Sequence, residues 1–417
     1  MEYGLIGEKL GHSFSADIHS KLFGYNYELR EVSKYELDSF MRNKAFKAIN
    51  VTIPYKEVVI PYLDEISPTA KSIGAVNTII NKNGKLYGDN TDFLGLSALI
   101  THLGLELTGK KVLILGSGGT SKTALAVAKK LGCKEVFRVS RNGADGCITY
   151  DVAKANHSDA DVIINTTPCG MYPQIGEAPV ELSDYPNLSG VVDAVYNPLR
   201  SKLICDAKKR GITAEGGLYM LVAQAVYAAE KFVDKKVDKK KIDEIYCGLL
   251  KSKESIVLVG MPSCGKTTVG RILASETAKC FIDTDEEIEK FSGKSISEIF
   301  AELGEKGFRE IESSVIEKVS SLQNAVISTG GGVVLRERNT ELLKENGRIY
   351  FIDRPLDSLI STADRPLSSN RSDLEKLYKE RYDIYLGSCD KQIIPSMELS
   401  ENVKMIKEEF YNENTCN

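Results

Sequence analysis

Short apolar runs, each closed by turn-forming residues, alternate along the chain with stretches of helical spacing. Residues 3–7, 27–32, 111–115, 135–139, 161–165, 191–193, 281–285 and 325–328 read as strands, as does the run that opens at Val257. Residues 34–41, residues 120–131 and the stretch after Gly216-Gly217 read as helices. Strands that alternate with helices predict an α/β fold throughout. One stretch departs from this rhythm. AVNTIINKNGKLYGDNTDFLG has two short strands around Asn83-Gly84, a hairpin signal, and it carries Asn77, Asn90, Thr91 and Asp92.

Two strand–loop–helix stretches carry glycine-rich loops. In VLVGMPSCGKTTVGRILA the loop fits G-x-x-x-x-G-K-T with Gly260, Gly265, Lys266 and Thr267, followed by Thr268. Such a loop turns backbone N–H groups onto phosphate oxygens, its Lys reaches the β- and γ-phosphates and its Thr hydroxyl ligates Mg²⁺. A plain strand-to-helix turn would need none of these residues. Ser263 and Cys264 are unusual members of such a loop. The second loop, in KKVLILGSGGTSKTALAVAKKLG, holds Gly116, Gly118, Gly119, Thr120 and Ser121, with Ser121 where G-x-G-x-x-G has its last glycine. The following strand ends in Ser140-Arg141-Asn142. An acidic residue there would hold the ribose hydroxyls of NAD, whereas an Arg suits the 2′-phosphate of NADP.

Other polar residues sit at strand ends, where α/β proteins build sites. Ser13 and Ser15 precede a helix expected near Ala16, which they could cap instead of binding a ligand. Thr52 and Lys56 follow the apolar run that contains Asn50. Asp283 and Asp285, with alternate spacing, would share one face of a strand, and a pair of acids beside a phosphate loop can serve Mg²⁺ and a substrate hydroxyl. Arg309, the triplet Gly330-Gly331-Gly332, Arg365 and Arg381 follow.

The chain has 417 residues, enough for two or three domains of roughly 100–200 residues each. A net charge of −4 argues against nucleic acid or an anionic membrane as the main partner. No apolar run reaches the roughly 20 residues of a membrane span, and MEYGLIGEKLGHS has no signal-peptide pattern. Nine scattered cysteines without a C-x-x-C pair read as reduced thiols in a cytoplasmic protein with no zinc site. His12, His19, His102 and His157 lack metal-ligand spacing and read as structural or solvated. The Lys-rich stretch within 231–255 reads as a solvated helix face plus a short, semi-rigid linker.

HSFS, NVTIPYK, GAVNT and GDNTD in this order, with LVAQA later, resemble shikimate dehydrogenase. The resemblance implies that Ser13, Ser15, Thr52, Asn77, Tyr196 and Gln224 bind substrate and that Lys56 and Asp92 are the catalytic pair. It implies NADPH as cofactor, held by the glycine loop, Ser140, Arg141 and Gly217. The chain departs from the family's Asn-Arg-Thr and second Arg by Ser140, Asn142 and Asp145, which leaves Arg141 to carry the preference. From the glycine loop at 260 onward the order of phosphate loop, D-T-D, F-R-x-I-E, triple glycine, R-P-L and a late Arg resembles shikimate kinase. That likeness implies ATP and Mg²⁺, with Thr267 and Asp283 on the metal, Asp285 on the attacking hydroxyl, Arg309, Arg381 and Gly330 to Gly332 on the substrate, and Arg365 on the phosphates. DSLISTAD lacks the Arg that many members stack on adenine.

The two resemblances divide the chain into a catalytic lobe, residues 1–100 and 218–250, a Rossmann-like NADP lobe, 101–217, and a kinase domain of the nucleoside-monophosphate-kinase type, 251–417. They imply consecutive steps: reduction of 3-dehydroshikimate and phosphorylation of shikimate, with small molecules as partners and homo-oligomerisation left open. Two other readings are an NAD-linked quinate/shikimate dehydrogenase joined to a kinase for another polyol acid, and a nucleotide-sensing protein with decayed sites. The intact Lys56/Asp92 and Lys266/Asp285 sets count against the latter.

Overall fold

The computed structural model describes residues 1–11, 14–359, 371–396 and 398–412. They group into two units: Met1–Met171 with Glu177–Asn197 and Asp206–Leu249, and Leu250–Asn417 with Tyr172–Gly176 and Pro198–Cys205.

The first unit holds two sheets. Strands β1 (Tyr3–Gly7), β2 (Tyr27–Glu31), β3 (Ala48–Val51), β4 (Glu65–Ile66), β5 (Thr78–Lys82) and β6 (Lys85–Asp89) form one, in the order β2-β1-β3-β5-β6-β4. β1 runs parallel to β2 and β3, β5 runs antiparallel to β3, and β6 returns antiparallel to β5 as a hairpin. Asn83 and Gly84 turn the hairpin with φ of 54° and 86°, as a tight two-residue turn demands. Ile6, Ile49, Val51, Ile79 and Leu86 bury one face of this sheet. The other sheet is all parallel: β7 (Lys111–Leu115), β8 (Glu135–Val139), β9 (Val162–Asn165), β10 (Gly190–Asp193) and β11 (Thr213–Glu215), in the order β11-β10-β9-β7-β8. Helices Thr91–His102 and Leu218–Val233 pack on one another, so the end of the chain segment that follows β11 returns to the first sheet's helix.

The second unit has one parallel sheet of β12 (Ser255–Val259), β13 (Cys280–Asp283), β14 (Ala325–Ser328), β15 (Gly347–Ile352) and β16 (Lys391–Ile393), in the order β13-β14-β12-β15-β16. β12, β14 and β15 are almost wholly apolar and buried, as central parallel strands covered on both faces must be.

Two expectations are corrected. The Lys-rich stretch, expected to be a solvated helix face plus a linker, is helical over Lys240–Lys253, and this helix runs across the expected boundary at 250. Its Ile242, Ile245, Tyr246, Leu249 and Leu250 are buried, a helical stripe that Lys251, itself buried, joins. Asp283 and Asp285 do not share a strand. β13 ends at Asp283, whose side chain accepts a hydrogen bond from the Asp285 N–H and caps the helix Thr284–Ser292. Capping satisfies an orphan N–H, so the chain turns helical one residue after the first acid.

Candidate active sites

The first unit contains a cavity of about 550 Å³. Ser15, Asn50, Thr52, Lys56, Asn77 and Asp92 line it from the first sheet's side, and Thr120, Met171, Ala194, Tyr196 and Gly217 from the second. Gln224, on the helix that follows β11, completes it. At its centre the Lys56 Nζ lies 2.6 Å from Asp92 Oδ2, both side chains mostly covered. The local backbone fixes this pair. Val76 N–H donates to the Lys56 carbonyl at 2.8 Å, and Asn90 caps the helix that presents Asp92 in its first turn.

Asn77 is held from behind. Its Oδ1 accepts from Thr91 N–H at 2.7 Å and from the Thr78 and Thr91 hydroxyls at 3.0 and 3.2 Å. With the acceptor side thus occupied, the amide's N–H₂ is the group left for a ligand. Asn50, which also lines the cavity, donates to the Asn77 carbonyl and to Thr78 Oγ1 at 3.2 Å each and accepts from Tyr27 at 2.8 Å. Asn50 and Tyr27 had no assigned role in the sequence. Their partners lie 23 to 28 residues away, so no local pattern could show them. On the far wall Asp193 accepts from Asn165 and from Val195 N–H, both at 2.9 Å, and so holds the turn that carries Tyr196. Burial raises the Tyr196 phenol above its ordinary value. Ser13 lies outside the described residues.

The glycine loop after β7 opens beside this cavity. A Cβ on Gly118 or Gly119 would meet nothing within 4 Å, so the loop leaves room over its backbone N–H groups for a pyrophosphate. Ser121 does not face outward. It is fully buried and donates to the Gly118 carbonyl at 2.7 Å, which makes it a packing residue of the loop. Gly217 packs where a Cβ would lie 2.3 Å from the Ala194 carbonyl oxygen. Past β8, Ser140 is buried and Arg141 exposed. Asp145, where a second Arg was wanted, turns its carbonyl to Arg138.

In the second unit the loop after β12 gathers the other set. Gly265 has φ of 98°, a conformation a side chain resists, at the N-cap of the helix Lys266–Thr277. Lys266 is buried and donates to the carbonyls of Gly260 and Met261 at 2.9 and 3.0 Å. Thr267 Oγ1 donates to Asp283 Oδ2 at 2.9 Å and lies 3.4 Å from Ser328 Oγ. These converging hard oxygens suit Mg²⁺. Thr268 is exposed on the same turn. Among the described residues there is no cluster of three His, Cys, Asp or Glu that could hold a metal.

Arg309 and Arg381 are buried near the triple glycine. Arg309 pairs with Glu312 at 2.8 Å and Glu305 at 3.1 Å, and Arg381 Nη1 donates to the Gly331 carbonyl at 3.0 Å. The glycines are there for close approach. A Cβ on Gly330 would lie 2.6 Å from Asp285 Oδ1, and one on Gly332 would lie 2.2 Å from the Arg309 guanidinium. Burial raises the Glu312 carboxyl above its ordinary value, against the pull of Arg309. Its role was not assigned in the sequence, although its spacing of three from Arg309 is that of helix neighbours. Arg365 lies outside the described residues.

A shikimate dehydrogenase (NADP(+)) of Clostridium perfringens is 39% identical over 261 residues, 58% of this chain and 96% of that protein. The chain belongs to the shikimate dehydrogenase family. The family model described as the shikimate dehydrogenase substrate binding domain matches residues 5–79, and that described as shikimate kinase matches residues 262–410. A chorismate mutase/shikimate 5-dehydrogenase fusion protein from Clostridium acetobutylicum superposes with a TM-score of 0.56 at 39% identity, covering 59% of this chain and 96% of that one. A shikimate 5-dehydrogenase from Thermus thermophilus, solved with NADP(H) and shikimate, gives 0.54 at 27% identity, covering 59% and 98%. The protein is an enzyme whose N-terminal part is of the shikimate dehydrogenase family and whose C-terminal part carries a shikimate kinase domain. None of the helices described is long and apolar enough to cross a membrane.

Proposed function

We propose that this is a bifunctional enzyme that reduces 3-dehydroshikimate to shikimate with NADPH and then phosphorylates the 3-hydroxyl of shikimate with ATP and Mg²⁺, in chorismate biosynthesis in the cytoplasm. The observation that carries it is the Lys56–Asp92 pair at 2.6 Å inside a cavity lined by Ser15, Thr52, Asn77, Tyr196 and Gln224. Bound NADPH would supply the hydride, and ATP with Mg²⁺ the phosphoryl group. Lys56 holds a proton where the ketone oxygen becomes a hydroxyl, and Asp92 orients the ammonium and accepts from a neighbouring substrate hydroxyl. In the second unit Lys266 serves the phosphates and Asp285 orients the attacking hydroxyl. Arg309 and Arg381 suit the carboxylate through their planar forks. Thr267 and Asp283 would hold the metal. We assign residues 1–100 and 218–250 to the catalytic lobe, 101–217 to the NADP lobe and 251–417 to the kinase.

The other reading, an NAD-linked quinate/shikimate dehydrogenase with a kinase for another polyol acid, draws on one feature: Arg141 has Asp145, not a second Arg, for company. One assay separates the two. With 3-dehydroshikimate, NADPH and ATP, the full chain should oxidise NADPH and then form ADP. Lys56→Ala should abolish the first step and leave ADP formation on added shikimate near normal. Undiminished NADPH oxidation in Lys56→Ala, or turnover with NAD⁺ and quinate alone, would defeat the proposal.

A further inference from the structure

The helix Arg371–Ser388 presents a second residue to the kinase site, one turn after Arg381. Tyr385 is fully buried, and its ring stacks on Phe351 of β15 with centroids 5.0 Å apart. Its hydroxyl reaches two backbone carbonyls on different loops. One is Gly331, in the triple glycine beside Arg309 and Arg381. The other is Gly260, at 3.1 Å, in the phosphate-binding loop. Each carbonyl has one further donor: Lys266 Nζ on Gly260 at 2.9 Å, and Arg381 Nη1 on Gly331 at 3.0 Å. A continuous chain thus runs from Lys266 through the Gly260 carbonyl, the Tyr385 hydroxyl and the Gly331 carbonyl to Arg381.

A phenol has one proton to donate, so it can satisfy only one of the two carbonyls fully at a time. We propose that Tyr385 is a positioning residue that couples the phosphate-binding loop to the acceptor loop of the kinase site. The reasoning rests on the kinase reading above. When Lys266 turns to a phosphate it leaves the Gly260 carbonyl, a buried acceptor that is costly to leave without a donor. The Tyr385 proton can then pass from Gly331 to Gly260. Gly331 keeps its bond to Arg381 Nη1. Arg381 can hold Gly331 and a carboxylate together, because its Nε is buried with no hydrogen-bond partner among the described residues. A carboxylate on that Nε would fix the guanidinium with Nη1 on Gly331 and so leave the Tyr385 proton to Gly260; nucleotide binding and acceptor binding then favour the same arrangement of one hydroxyl, which is positive coupling between two sites.

The test uses the full chain. MgADP is titrated in the absence and presence of saturating shikimate, so that shikimate held elsewhere on the chain does not enter the measured constant. Coupling is reciprocal, so the nucleotide side reads it fully. Shikimate should tighten MgADP binding by roughly fivefold or more in the wild type, a usual size for such coupling. Tyr385→Phe keeps the ring and its stack, and should bring that ratio close to one while MgADP alone binds nearly as before. Its kcat should fall more than its KM for shikimate rises. Phe351→Leu disturbs the packing without touching the hydroxyl, and should lower the melting temperature yet keep the coupling. A Tyr385→Phe variant with wild-type coupling, or a wild type with none, overturns the inference. A wild type that binds MgADP but never phosphorylates shikimate would overturn the kinase reading itself, and the inference with it.

Discussion

His19 shows how a single buried side chain can set a protein's tolerance of acid. Its ring has no exposed surface and lies 3.8 Å from that of Tyr27, nearly parallel, with Phe232 on the cluster's edge. Nδ1 is 2.5 Å from the Tyr25 hydroxyl, and Nε2 has no hydrogen-bond partner among the described residues. Burial lowers its pKa from 6.5 to about 3. A depressed value means that the unfolded chain takes up the proton first. The stability from this group is present above about pH 6.5 and is lost as pH falls from there toward about 3, at about 1.4 kcal/mol per unit. Tyr27, against which His19 packs, holds Asn50 in the cavity wall, so dehydrogenase activity should fail with the fold. We predict that His19→Phe flattens the loss of thermal stability between pH 6.5 and 4.5 relative to the wild type. Melting curves across that range decide it, and equal slopes for the two proteins would mean that another group controls the acid limb.

At the scale of elements, local chemistry was legible and distant pairing was not. Both glycine loops stood out because the phosphate-binding pattern, the strand before it and the helix after it occupy one continuous stretch. The helix Lys240–Lys253 was legible only as a solvated face beside a linker, although Ile242, Ile245, Tyr246 and Leu249 carry the helical period of a buried one. The spacing of Asp285 from Asp283 fits a pleat, and the cap at Asp283 overrode that spacing. Tyr385 could not be foreseen, since the carbonyls it meets are 54 and 125 residues away. The element after β8 bears on cofactor choice. A bridge between Val139 and Ile148 closes the loop that carries Arg141, and the helix beyond it, Tyr150–Asn156, has only seven residues. Arg141 is then the one Arg within this loop, residues 140–148, since Arg138 of β8 is engaged with the Asp145 carbonyl. A charge-assisted hydrogen bond is worth about 1.5–3 kcal/mol. We predict that Arg141→Ala narrows the ratio of kcat/KM for NADPH over NADH by roughly 10- to 150-fold, which is that energy converted. Comparable use of both cofactors by the wild type would show that Arg141 carries little of the preference.

At the scale of the whole molecule, the second unit is more than the chain from residue 250 onward. Pro198–Cys205 belongs to it, and Arg200 is the residue that ties this segment in. Its guanidinium donates to Glu254 at 2.8 Å and to the Lys344 and Gly347 carbonyls at 2.9 and 2.8 Å. Glu254 has no exposed surface, and its second carboxylate oxygen faces Arg348 at 3.4 Å. Burial pushes the Glu254 carboxyl up, but the two arginines outweigh it and hold the pKa below the ordinary value. Such a pair is weak evidence of net stability, because desolvation offsets attraction, yet breaking it leaves a buried charge. We predict that Arg200→Met destabilises the second unit by about 3–5 kcal/mol and that kinase activity is lost on heating well before that of the wild type. Adding Glu254→Gln should recover part of the loss, because the charge left without its partner is then gone. Thermal inactivation of kinase turnover, measured on wild type, single and double variants, reads both effects. If the double variant were as weak as the sum of its single changes, the cost would lie in lost packing and backbone hydrogen bonds and not in the uncompensated carboxylate.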